Sequence, residues 1–139
     1  MLRSDLMSVV TTMLFPVIDI PREGVKRVHN LIRGVRDVSP REAYRLIAAG
    51  AAILDVREPA EFAAGHVEGS ILLPLDTLEA RVGEIEDLKQ RPLVVLCHGG
   101  KRSATACAAL ARLGFTDTAN IAGGILAWRR AGLPEVCPT

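Results

Sequence analysis

The chain has 139 residues, 49% of them hydrophobic and 24% charged, with a formal net charge of +1. That length holds one domain whose core needs no staples, and the composition is that of a globular protein. Near-neutral net charge gives no electrostatic case for nucleic acid and 4% aromatic content no stacking platform, so no nucleic-acid partner is expected. Cys97, Cys107 and Cys137 form an odd set without metal-type spacing. They point to a reducing, cytoplasmic setting and to thiol chemistry, with no metal and no cofactor implied.

Residues 6–18 carry no charge. A membrane span needs about 20 apolar residues, so this segment is read as a helix that packs on the domain or on a second copy, not as an anchor. A second helix is opened by Asp19, with Pro21 two residues on, and stops at Gly34. Val25, Val28, Leu31, Ile32 and Val35 share one face, with Arg22, Lys26, Arg27 and Arg33 mostly opposite. Residues 1–34 thus form an N-terminal helical extension and residues 35–139 the domain, with a homodimer through the extension as the expected assembly.

Within the domain, residues 35–38 form a short strand. Ser39-Pro40-Arg41-Glu42 caps a helix that runs to Ala49. Residues 51–56 form the next strand, 59–64 a helical turn and 70–73 a third strand. Asp76 and Glu79 cap a helix with a Leu78, Val82, Ile85, Leu88 stripe. Residues 93–96 form the fourth strand, 104–113 a helix, 118–121 a fifth strand and 125–130 the last helix, with Trp128 buried. Strands alternate with helices throughout, which argues for a parallel sheet covered on both faces.

The segment Leu93-Val94-Val95-Leu96-Cys97-His98-Gly99-Gly100-Lys101-Arg102-Ser103 carries the chemistry. A continuous apolar run ending in Cys97 reads as a buried parallel strand. The glycine pair lets the backbone curl, and Ser103 is taken as the N-cap of the following helix. Cys97 then sits where open α/β sheets place their ligands. The alternative is a structural cysteine, since free Cys is a commonly buried residue. Helix-end amides with Lys101 and Arg102 favour a reactive thiolate instead. Cys107 is assigned to the core and Cys137 to the surface.

The sequence CHGGKRS resembles the Cys-x-x-Gly-x-Arg-Ser active loop of single-domain rhodaneses, the sulfurtransferase family. Leu54-Asp55-Val56-Arg57-Glu58, Gly65-His66-Val67-Glu68-Gly69-Ser70 and Gly123-Gly124 with Trp128 and Gly132-Leu133-Pro134 resemble further family segments, in the family's order. The resemblance implies a rhodanese-like α/β fold, with five parallel strands between two helical layers. It also implies transfer of a sulfane sulfur from thiosulfate or a persulfide to cyanide or a thiol, through a Cys97 persulfide. His98, Gly99, Gly100, Lys101, Arg102 and Ser103 are the expected substrate-binding residues. Asp55 and Arg57, at the same sheet edge, either face the substrate or form a structural ion pair under the Pro59 turn. Glu58 and Glu61 are read as surface or turn-stabilising residues, and His66 is expected to bond to backbone.

Two other readings stand beside this one. A phosphatase or arsenate reductase relative would carry its arginine six positions after the cysteine, but Arg102 is five after Cys97 and position six is Ser103. A non-catalytic or sulfur-relay module, docking a protein partner, would account for the extension.

Overall fold

The structure is a computed structural model and describes residues 22–32 and 34–138. The expected apolar helix over residues 6–18 lies outside them. The described elements in chain order begin with α1 (Arg22–Ile32), β1 (Asp37–Val38), α2 (Pro40–Ala48), β2 (Ala52–Asp55), α3 (Pro59–Ala64) and β3 (Ile71–Leu72). Then come 3-10 turns flanking α4 (Leu78–Arg81), followed by β4 (Leu93–Leu96), α5 (Lys101–Arg112), β5 (Thr118–Ile121) and α6 (Gly124–Arg130).

All five strands are parallel, in the order β1-β5-β4-β2-β3. The central strand β4 is buried at every residue, which is why it reads as an unbroken apolar run. Its side chains alternate between two cores. Leu93 and Val95 join Leu54, Leu110 and Phe115 on the α5 side; Val94 and Leu96 join Ile53, Ile121 and Trp128 on the α2–α6 side. Trp128 is fully buried, and its indole N–H donates to Pro134 O at 2.9 Å, tying down the C-terminal tail. The tail also pairs through Val136 with His66.

The Ser39 cap forms as expected, its hydroxyl accepting the Glu42 N–H at 3.1 Å. The helix expected after Asp76 does not form as one piece. A 3-10 turn over Leu75–Thr77 precedes the single α-turn, and Val82–Leu88 is 3-10 with a non-helical Ile85 (φ −119°). No side chain caps it. Gly83, flanked by Val82 and near Ile85, weakens the α-helix here, because Gly costs about 1 kcal/mol in a helix interior. The apolar stripe still holds the segment down, with Leu78, Ile85 and Leu88 buried.

Helix α1 joins the domain through Asn30, which is buried. Its carbonyl accepts the Val35 N–H at 2.8 Å, and its side chain reaches Asp37 on β1. Among the described residues no helix is long and apolar enough to cross a membrane.

Candidate active site

Cys97 follows β4 directly and is 1% exposed. Gly100, at φ +94°, turns the chain so that its own N–H points back at the Cys97 sulfur, 3.1 Å away. A side chain at that φ would be strained, and a Cβ there would meet Gly123 N at 3.0 Å. Gly100 is therefore the N-cap, and α5 begins at Lys101, not after Ser103. The Gly-Gly curl completes the turn three residues early. Ser103 lies inside the first turn of the helix with its hydroxyl facing inward, 3.2 Å from the Cys97 sulfur.

The loop rests on α6. Ile125 N–H donates to Cys97 O at 2.8 Å, and Leu126 N–H to His98 O at 3.2 Å. These first-turn amides have no partner within their own helix, and the loop carbonyls satisfy them. Gly124 (φ +62°) makes this approach possible, since a Cβ there would collide with the backbone of Cys97 and His98. The Gly123-Gly124 pair is thus a seat for the active loop.

The expected binding residues fall into two groups. His98 and Lys101 are exposed, and open space lies where a Gly99 side chain would be. Arg102 is half-buried and already paired: its Nη1 and Nη2 donate to the two carboxylate oxygens of Glu61 at 2.7 and 2.9 Å. Glu61 stabilises the turn, one of its two expected roles, by accepting the Glu58 N–H at 3.1 Å, but its bond to Arg102 was not foreseen. The bidentate bond to Arg102, opposed by desolvation, holds the Glu61 carboxyl down at about 2. Glu61 in turn raises Arg102.

Asp55 and Arg57 lie beneath the turn, 0% and 2% exposed, and neither reaches the surface. The Arg57 guanidinium donates to both Asp55 oxygens, to Glu61 O at 3.3 Å and to Gly65 O at 2.8 Å. The pair therefore ties β2 to the first turn and the C-cap of α3, which is the geometry of the structural ion pair. Breaking such a buried pair from one side costs about 3–5 kcal/mol. His66 Nδ1 donates to Phe62 O at 2.9 Å, and its ring stacks on Phe62, as a backbone-bound role requires.

Cys107 is buried on α5, where desolvation pushes its thiol up to about 12, while Cys137 is exposed. Among the described residues no three His, Cys, Asp or Glu side chains converge as metal ligands. Two polar residues escaped sequence reasoning: Asn120, buried on β5, and Asp37, half-buried on β1. The available signal for Asn120 was an amide between Ala119 and Ile121 in a segment read as a strand of a sheet covered on both faces, because a buried polar group must have a partner.

Residues 39–131 match the rhodanese-like domain model. The chain belongs to the rhodanese family. It is 42% identical over 86 residues to a sulfurtransferase of Allochromatium vinosum, covering 62% of this chain and 78% of that protein. It is 36% identical over 92 residues to a thiosulfate sulfurtransferase of Ectopseudomonas mendocina, covering 66% of this chain and 83% of that protein. The crystal structure of a rhodanese-related protein from Thermoplasma volcanium superposes with a TM-score of 0.67 at 34% identity, covering 73% of this chain and 97% of that one. Family and relatives together support sulfur transfer of the rhodanese type.

Proposed function

We propose that this protein moves a sulfane sulfur through a persulfide on Cys97, with thiosulfate or a persulfide as donor and cyanide or a thiol as acceptor. The observation that carries the reading is the position of the Cys97 sulfur: it closes the central strand, accepts the Gly100 N–H and lies at the start of α5. A helix N-terminus and converging amides favour an anion there. In the first half-reaction the Cys97 thiolate attacks the outer sulfur of thiosulfate. A Cys97 S–S bond forms, the donor's S–S bond breaks, and sulfite leaves with the electron pair. In the second, the acceptor attacks the outer persulfide sulfur and the thiolate returns. Lys101, exposed at the first position of α5, and Arg102, beside Glu61, hold the donor's sulfonate. The five-residue Cys97-to-Arg102 spacing suits a sulfur atom better than a tetrahedral oxyanion, which disfavours phosphatase chemistry.

The thiosulfate:cyanide assay on Cys97→Ser tests the proposal. Turnover should fall to background while the circular dichroism spectrum stays unchanged, because a serine hydroxyl does not ionise near neutral pH. Residual turnover near the wild-type rate would assign the chemistry to another group.

A further inference from the structure

Strand β5 turns a buried amide toward α5. Asn120 is 1% exposed, and sulfur transfer as described makes no use of it. Its amide is fully engaged. Nδ2 donates to Asp37 Oδ1 at 2.8 Å and to Gly100 O at 3.3 Å, while Oδ1 accepts the Ser103 hydroxyl. Asp37 is held from its other side by Asn30, whose Nδ2 lies 3.0 and 3.3 Å from its carboxylate oxygens. A line of side-chain bonds therefore runs from α1 to the sulfur: Asn30, Asp37, Asn120, Ser103, Cys97.

Chemistry fixes the direction of each link. A carboxylate only accepts, so Asp37 takes the NH2 of Asn120 and turns its carbonyl oxygen toward Ser103. The reverse orientation would set that oxygen against a carboxylate. A hydroxyl has one proton. The Ser103 proton goes to Asn120 Oδ1, the nearer acceptor, and not to the Cys97 sulfur at 3.2 Å. Ser103 consequently shows the sulfur a lone pair.

We propose that Asn120, oriented by Asp37, is a positioning residue for Cys97: it holds the Ser103 proton away from the sulfur, leaving Gly100 N–H as the donor to a thiolate. This rests on Cys97 being the nucleophile. The other charged and titratable groups around the sulfur are Lys101, Arg102 with Glu61, Cys107 on α5, His98 in the loop, and the Asp55–Arg57 pair ending β2. None of them is bonded to the Asn120 side chain, whose partners are Ser103, Asp37 and Gly100.

The test is the pH profile of iodoacetamide alkylation at Cys97, read by peptide mass on the full chain. Asn120→Ala frees the Ser103 proton for the thiolate. The profile should move to lower pH, with alkylation about tenfold faster below the midpoint, the scale of one charge-assisted hydrogen bond. A merely structural role predicts the opposite, because a loosened loop loses the Gly100 bond and the profile moves up. Ser103→Ala alone should not move the profile up, and in the double variant it should erase the Asn120→Ala shift. An unmoved or raised profile in Asn120→Ala, or a raised one in Ser103→Ala, overturns the proposal; should Asn120→Ala not fold, Ser103→Ala decides alone. Persulfide formation by the wild type is read separately. A wild type that forms persulfide while Asn120→Ala stays unmoved overturns the relay alone. A wild type that forms none while Asn120→Ala shifts overturns the transfer reading alone.

Discussion

Glu61 and Arg102 set the charge at the mouth of the loop. Their bidentate bond has a definite pH signature. The Glu61 carboxyl is lowered from 4.5 to about 2 by Arg102, so the stabilisation it contributes is fully present above its ordinary value and is lost as pH falls through about 2. In urea melts, wild type should exceed Glu61→Gln by a constant margin from neutral pH down to about 5, and the margin should shrink below that. A margin that does not change with pH would mean that the bond seen here contributes nothing in solution. No local pattern announces this pair, because its partners stand 41 residues apart. Asn120 and Asp37 were hidden for the same reason, their bond spanning 83 residues. Cys97, by contrast, was legible because its neighbours in sequence are also its neighbours in space.

At the scale of elements, the seat of the active loop on α6 explains the Gly123-Gly124 pair. Gly124→Ala places a methyl group against the carbonyls of Cys97 and His98 at a φ of +62°. We expect a loss of at least about 2 kcal/mol of stability from strained backbone and overpacking together, and sulfur transfer lost with it. Thermal melts with the cyanide assay would check both. The strand–helix alternation was legible because β4 is buried on both faces and Ser39, Gly50, Gly65 and Gly114 punctuate the chain where elements end. Two element boundaries were not. The start of α5 depends on where the Gly99-Gly100 backbone curls, which side-chain preferences do not encode. The broken segment around α4 keeps a helical apolar stripe while its backbone leaves the α-helix at Ile85, so periodicity alone overstates it.

For the whole molecule, the family match begins at residue 39, and the active loop is held by β4, α5, α6 and β5. We propose that residues 1–21, which precede the helix tied to the domain by Asn30, bring two copies together, because an uncharged stretch such as residues 6–18 must be covered. Deleting residues 1–21, which leaves the Asn30–Asp37 bond in place, should retain sulfur transfer and alter the oligomeric state, as read by size-exclusion chromatography with light scattering. An unchanged oligomeric state would remove the extension from assembly.

The account stands on Cys97 as the carrier of sulfur, and intact-mass analysis after thiosulfate tests that most directly. The protein should gain one sulfur atom, peptide mapping should place it on Cys97, and added cyanide should remove it. No gain, or a sulfur found on Cys107 or Cys137, would contradict the account.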